Sequence, residues 1–402
     1  MVLMRLDQEI AHGDLMQSRS VLMPSVSGFF QLNQSRDQRE DLVGILTSDK
    51  SYYAFSLSQP IFHWGERLNT YRMGVISRNL ATRQYKEGYR MLAQEIRSAY
   101  LQLIVGKVRL DIATFNLKQA EDVLLRTEDN VAKGVISDAD AFQPRMNAEQ
   151  SRLTYDQTVF SYGEAKRLFK VLTGVDAPAD QTLPIEIPAV GDMGPQITGL
   201  LNGFLRQPEP VTFSGLNLKD QVASARLSYQ IQKTRLLPKF NFIMGLSQDE
   251  QSYTTNLAAK YGLEQQYVGV SASWMLFDGF ASRGARLSAL ARLRRAEASY
   301  QQYSEGVAAS AQRAVRELEF AARNLHMQER MLNSYRAFID FRRDQITRGL
   351  ASATELIQAQ QQYNAGLLAT ISARASYLQQ VAEFIGLVTT DPIIDNLNLP
   401  TR

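Results

Sequence analysis

The chain has 402 residues and no cysteine. Disulfides, thiolate metal sites and cysteine nucleophiles are therefore excluded; the absence suits an oxidising compartment without requiring one. Histidine is almost as scarce. His12, His63 and His326 are the whole set, and none has ligand-like neighbours, so each reads as a surface or packing residue. No apolar run approaches the ~18 residues that a membrane-crossing helix needs. Net charge is only +3, which gives no reason to invoke nucleic acid. No G-x-x-x-x-G-K-S/T stretch occurs, and no nucleophile, base or metal set converges, so the chain reads as a non-enzyme without a cofactor. Proline is missing from Gly65 to Val131, and that gap marks the element around which the rest is arranged.

The proline-free stretch predicts one uninterrupted helix. Leu92, Ile96, Ala99, Leu103, Gly106, Leu110, Ala113, Leu117, Ala120 and Leu124 step by four and three, the heptad spacing that keeps one stripe against a neighbour along a supercoiled pair. Large and small residues alternate, so partner helices can approach closely at Ala99, Gly106, Ala113 and Ala120. At about 1.5 Å per residue the rod is roughly 100 Å long. It has no core of its own and needs other rods beside it.

Adding 215 to each position gives a second seam: Val307, Ala311, Ala314, Leu318, Ala321, Leu325, Gln328, Leu332, Tyr335 and Ile339. The punctuation repeats as well. Pro24 pairs with Pro238, Phe62 with Phe277, and Gly134 in VAKGVISDAD with Gly349 in ITRGLASATE; Leu172-Thr173-Gly174 matches Ile385-Gly386 less tightly. The chain is read as two copies of one unit. Residues 1–174 form the first repeat, with a helix, a β-hairpin over 24–62, a long helix over 65–132 and a return helix over 138–173. Residues 175–213 are a Pro- and Gly-rich linker with a short helix near Ile197–Leu205. Residues 214–387 form the second repeat, with a helix, a hairpin over 238–277, a long helix over 281–347 and a return helix over 352–386; residues 388–402 are a tail. Pro144 predicts a kink or a late start in the first return helix. The lead-in before Pro238 is longer than that before Pro24, so the chain is expected to start downstream of a natural start.

Between the helices the period changes to two. Val26, Gly28, Phe30 and Leu32 alternate with Ser27, Phe29, Gln31 and Asn33; Tyr53, Phe55, Leu57 and Ile61 with Ala54, Ser56 and Ser58; Phe240, Phe242, Met244 and Leu246 with Asn241, Gly245 and Ser247, where Ile243 spoils the polar face; Val268, Val270, Ala272, Trp274 and Leu276 with Gly269, Ser271 and Ser273. Each run is about ten residues, the length of a tilted strand crossing a membrane. Polar loops are expected between them, at SRDQREDLVGILTSDK and over Gln248–Gln265. Aromatics at Tyr52, Tyr53, Phe62 and Trp64 stand where interfacial girdles would. Two soluble hairpins on a helical protein fit the same alternation. If the runs lie in lipid, four strands cannot close a barrel, and an open edge leaves backbone groups unpaired at several kcal/mol each. A membrane reading therefore forces oligomerisation; two, three or four copies satisfy it.

The order helix, hairpin, rod, turn, return helix, written twice, resembles the TolC-type outer-membrane efflux channel family. The residues that carry the likeness are LLP before the third strand, WMLFDGFASR closing the fourth, and RGLASATELIQAQQQYNAGLLATISARASYLQQVAEFIG after the second turn. The resemblance implies a mainly α fold with a small β part: a duplicated coiled-coil barrel as periplasmic tunnel, plus four strands given to a trimeric transmembrane β-barrel. It implies a homotrimer in the outer membrane of a Gram-negative-type bacterium. Its partners would be a periplasmic adaptor (membrane fusion) protein, an inner-membrane pump or ABC exporter, and outer-membrane lipid. Such a duct passes small molecules or secreted protein. By the same resemblance Glu355 and Gln358, six and nine residues past the second turn glycine, and Asp140, six past the first, line the tunnel constriction. Gln358 departs from relatives acidic at both positions. The adaptor would dock on the turns at Gly134, Val135, Gly349 and Leu350. Ala351 and Ile346 stand where some relatives carry the Arg and Tyr that latch the closed end, so Arg348 or Arg343 is expected to substitute. Glu355, Asp140 and Asp138 also suit plain first-turn helix carboxylates, and the doublets Arg294-Arg295 and Arg342-Arg343 suit solvated faces. A soluble periplasmic coiled-coil scaffold or adaptor without a pore is the rival.

Overall fold

A computed structural model describes residues 2–38, 45–184, 186–187, 191, 193–207, 212–253 and 256–388. The expected tail over 388–402 lies outside these apart from Val388, which ends the last helix. The chain divides into two compact units, Met1–Tyr85 with Phe213–Tyr303 and Lys86–Thr212 with Ser304–Arg402.

In the first unit, helix α1 (Val2–Ser20) leads into β1 (Ser25–Gln38), and β2 (Ile45–Phe62) leads into α2 (Glu66–Ala132). The second copy repeats this with α5 (Phe213–Lys233), β3 (Lys239–Tyr253), β4 (Asn256–Ser273) and α6 (Ala281–Thr347). All four strands pair antiparallel in one sheet of order β1-β2-β3-β4. One face carries the row Val26, Leu57, Met244, Val268 across all four strands; the other carries Ser27, Ser56, Gly245, Tyr267. Val26 is 72% and Val268 69% exposed, so among the described residues the two ends of this apolar row are left uncovered. On the polar face the Ser27 and Ser56 hydroxyls bond at 2.8 Å. A Cβ at Gly245 would lie 2.6 Å from the Tyr267 ring and 2.9 Å from the Phe55 carbonyl, so glycine is what lets the tyrosine lie flat there.

The strands are longer than the expected ten residues. Much of the two polar segments is paired: Ser35 with Ser48, Gln248 with Glu264, Ser252 with Lys260. A ladder needs only backbone groups, and polar side chains tolerate it wherever water replaces lipid. In the other direction β4 stops at Ser273, so Trp274–Phe277 lie outside the strand.

The turn from strand to long helix uses two left-handed residues in each copy, Trp64-Gly65 (φ +52° and +80°) and Gly279-Phe280 (φ +64° and +68°). A bulky residue in that region costs about 1–2 kcal/mol. Packing offsets it: the Trp64 indole N–H donates to the Pro238 carbonyl at 2.8 Å, and Phe62–Trp64 and Phe277–Phe280 ring pairs lie 4.8 and 5.5 Å apart. Both long helices have 67 residues and are offset by 215 at each end.

In the second unit, α3 (Phe142–Thr173), α2, α7 (Ala353–Val388) and α6 lie side by side in that order. Arg152 meets Glu121 between α3 and α2, Gln94 donates to the Ala382 carbonyl between α2 and α7, and Arg374 meets Glu329 between α7 and α6. The late start at Pro144 is present. A 3-10 turn, Asp138–Ala141, precedes α3, and proline occupies the first turn, where its missing N–H costs nothing. The core gathers Ala99, Leu103, Val108, Tyr162, Phe169 and Ile371. Every residue of the two predicted seams is buried or partly buried. Gly106 takes the Tyr162 ring, 3.0 Å from where a Cβ would stand. The linker, with α4 (Gly194–Leu205), is tied at three points: Asp180 to Tyr162 (2.7 Å) and Lys166 (2.6 Å), the Leu183 carbonyl to Lys107 (3.3 Å), and the Ile187 carbonyl to Arg374 (2.7 Å).

Candidate constriction and docking turns

The two turns that end the long helices are built alike. Gly134 and Gly349 both have φ +70°. The Gly134 and Val135 amides donate to the carbonyls of Val131 and Asn130, and the Gly349 and Leu350 amides to those of Ile346 and Gln345, all between 2.8 and 2.9 Å. This is a Schellman closure, which satisfies the last helical carbonyls and needs a residue without Cβ at the left-handed position. Val135 (69% exposed) and Leu350 (72%) follow the glycines, so each tip presents one apolar side chain to solvent.

The carboxylates behind the turns are held differently. Asp140 is exposed, yet its carboxylate accepts from the Ser137 hydroxyl (2.6 Å) and amide (3.1 Å), while its own amide donates to Ser137 Oγ (3.3 Å). Those bonds, the hydroxyl first, hold its pKa below the ordinary aspartate range. Glu355 stands at the same place in its helix, with its amide 3.3 Å from Ser352 Oγ. Its carboxylate meets the Arg342 guanidinium at 2.8 Å. Arg342 also donates to Gln345 (2.8 Å) and lies over the Phe338 ring at 5.0 Å. Gln358 is exposed one turn further on.

One expectation is corrected here. Arg342 is not a solvated-face residue, since it is partly buried and bonded. Within the chain Arg343 lies 3.7 Å from Asp340, Arg348 bonds Asp344 at 2.9 Å, and Asp140 is held by its own cap. Sequence reasoning also missed Arg145, which bridges Glu128 (2.6 Å) across the first turn and Asp138 (2.8 Å). Hydrogen bonding to that guanidinium holds Glu128 below the usual carboxylate range. Opposite charge about equally far on either side of a turn glycine would have flagged Arg342 and Glu355 around Gly349, but not Glu128 and Arg145, which stand 6 and 11 residues from Gly134. His63 is buried, with Nε2 2.9 Å from Asn241 Oδ1 and Arg67 donating to Nδ1 at 3.3 Å; it is a packing histidine. Among the described residues no acidic or histidine cluster could hold a metal ion, and no helix is long and apolar enough to cross a membrane.

The model of the family described as "Outer membrane efflux protein" matches residues 1–159 and 217–388. The chain belongs to the outer membrane efflux protein family. Membership places it in the bacterial outer membrane, extending into the periplasm. Among curated relatives it is similar to the pyoverdine export outer membrane protein OpmQ of Pseudomonas aeruginosa, 22% identical over 330 residues, which are 81% of this chain and 66% of that protein. The chain thus spans just under two thirds of that relative's length. Among solved structures it resembles the Campylobacter jejuni CmeC outer membrane channel (TM-score 0.74, 14% identity, 96% of this chain and 82% of that one). VceC of Vibrio cholerae (0.71, 14%, 96% and 92%) and the open state of the Neisseria gonorrhoeae MtrE outer membrane channel (0.70, 14%, 96% and 85%) are similar too. At such identity these likenesses speak to the fold, which is the mainly α duplicated architecture with one four-stranded sheet.

Proposed function

We propose that three copies of this chain form a passive exit duct across the outer membrane, fed by a periplasmic adaptor and an inner-membrane pump. The observation that carries the reading is a broken symmetry between the two copies. Val105 and Ile112 on α2 pack against the core. Their counterparts 215 residues on, Phe320 and Met327 on α6, are 66% and 45% exposed. Helix α2 is flanked by α3 and α7, whereas α6 leaves this stripe uncovered among the described residues. The other outer helix, α3, bears a matching exposed stripe of Phe142, Met146, Leu153 and Phe160. Measured from the turn glycines, Phe142 and Phe341 each stand 8 residues away, Met146 and Phe338 stand 12 and 11, and Leu153 and Met331 stand 19 and 18. A second copy laid alongside brings these stripes into register at equal heights. In the sheet, β1 and β4 each have one unpaired edge, which lipid does not tolerate.

The constriction of the duct is assigned to Glu355, Gln358 and Asp140, and the docking surface to the tips at Gly134, Val135, Gly349 and Leu350. The pairing of Glu355 with Arg342 and the capping role of Asp140 mean that neither carboxylate is a bare charge, so strong cation selectivity is not expected. The likeness to a siderophore exporter favours small molecules as cargo.

The chain has no cysteine, so Met146→Cys with Phe338→Cys gives a clean cross-linking test. A covalent trimer on a denaturing gel, absent from each single variant, is the expected result. A monomer under native detergent extraction with no inter-chain product removes the channel reading.

A further inference from the structure

Around the sheet end that joins the helices, the first unit carries a ring of exposed cations. Arg19 is in the last turn of α1, Lys233 ends α5, Arg235 lies between α5 and β3, Arg72 is in the second turn of α2, and Arg283 and Arg286 are in the first two turns of α6. All six side chains are exposed, and Arg235 stands near enough to Asp278 to help hold that carboxylate below the usual aspartate range, behind the Ser282 hydrogen bonds. Three carboxylates stand among them. Glu66 is paired with Lys239 at 2.7 Å, and the Asp278 carboxylate accepts from the Ser282 amide (2.8 Å) and hydroxyl. Asp14 is the other exposed carboxylate in the same turns. The six charges lie within roughly 10 Å of the helix ends, counted at about 1.5 Å per residue.

Exposed aromatics share the level: Phe62, Trp64, Trp274, Phe277 and Phe280. Aromatic rings mark a headgroup boundary, and clustered Lys and Arg beside it attract anionic lipid. We infer that this ring binds the phosphate headgroups of anionic phospholipid in the leaflet facing the helices. The inference rests on the reading that the sheet lies in the membrane. Apolar rings at the boundary hold the level, and guanidinium groups accept phosphate oxygens in a two-pronged geometry.

The test uses the full chain in mixed bilayers of phosphatidylglycerol and phosphatidylcholine, re-extracted with gentle detergent, with the retained lipid quantified. The native chain is expected to enrich phosphatidylglycerol about fivefold, and less at high salt. The variant Arg72→Gln, Lys233→Gln, Arg283→Gln, Arg286→Gln loses that enrichment. Enrichment that survives in the variant, or that the native chain never shows, overturns the inference. So does a variant that changes the anion-to-cation permeability ratio while retaining its lipid, because the ring would then face the solute path. Insertion into pure phosphatidylcholine does not depend on the ring and tests the membrane reading by itself. Protein that inserts without enrichment sinks only the ring; protein that fails to insert sinks both.

Discussion

Replacing Arg374 by methionine tests how the linker is fastened to the helices. Arg374 is 14% exposed at its side chain and makes two bonds to Glu329, at 2.7 and 3.0 Å, and one to the Ile187 carbonyl at 2.7 Å. Methionine fills the space of the stem and removes all three. The Ile187 carbonyl then loses a charged donor, and Glu329, 26% exposed, loses its main partner. A charge-assisted bond contributes about 1.5–3 kcal/mol and a stranded buried acceptor costs about 1–3. Solvent reaches Glu329, so its share is discounted, leaving about 3 kcal/mol for the whole contact. At about 1.4 kcal/mol per decade, that raises the open population of the linker on the order of 100-fold. Limited proteolysis of the native protein reads this directly, because cleavage tracks the open population when reclosing is fast. Cleavage between Val175 and Met193 should accelerate by about that factor, and Glu329→Gln added to Arg374→Met should recover part of it by removing the stranded charge. A cleavage rate changed less than about threefold would refute the idea that Arg374 holds the linker down.

Gly106→Ala should lower stability by about 1–3 kcal/mol, because the new methyl meets a Tyr162 ring that Asp180 prevents from moving; Gly106→Ala with Tyr162→Ala should show no further penalty in thermal unfolding. Asp180 titrates below the ordinary range, mainly through the Lys166 bond and then the Tyr162 bond. Its pKa is depressed in the fold, so its contribution is whole above about pH 4 and falls away as pH drops through the lower folded value. Linker proteolysis should be flat from neutral pH to about 5, rise below 4, and lose that rise in Asp180→Asn. In planar bilayers Arg342→Ala should make the channel more cation-selective by freeing Glu355, Glu355→Gln should reverse this, and Asp140→Asn should do less than either. Leu57→Arg, on the apolar face of β2, should impair assembly by about 2–4 kcal/mol, whereas Ser51→Arg, near the polar end of the strand, should cost under about 1; equal effects on the unfolding midpoint would contradict the depth assigned to the sheet.

Much of the fold was legible because it is written in periods. The seams, the two helix lengths and the turn glycines follow from heptad spacing and from the one backbone conformation that glycine alone takes without strain. Strand extent was less legible. The segments over Ser35–Gln38 and Gln248–Tyr253 read as loops because they lack alternation, but alternation reports a two-faced environment rather than pairing itself. Trp64 and Phe280 gave no signal of their left-handed backbone, since a bulky residue is placed there by contacts from elsewhere, such as the Pro238 carbonyl. At the candidate constriction, the places of Asp140 and Glu355 after the turns were readable. Their partners were not, because Arg342 and Arg145 come from positions that only the folded hairpin brings near.

The offset of 215 carries over backbone devices but not steric ones. Turn glycines, left-handed pairs and both ends of the long helices recur at that spacing. The close contacts do not. In the first hairpin the long helix supplies Gly106 and the return helix Tyr162; in the second the long helix supplies Tyr335, whose ring lies 2.7 Å from a Cβ at Gly366 of the return helix. Gly106 corresponds to Ala321, and Gly366 to Ser151, so neither clamp has a glycine at its counterpart. Backbone turns are constrained by their own few residues, and duplication copies those residues together. A ring seated on a glycine needs two residues far apart in sequence to change in concert, and either helix of a pair can provide the gap. Once one copy has its clamp, selection on the other is free to place it at another height, 28 residues from the turn glycine in the first hairpin and 14 in the second. The two hairpins are therefore fastened at different levels, and a substitution tolerated in one predicts nothing about its counterpart in the other.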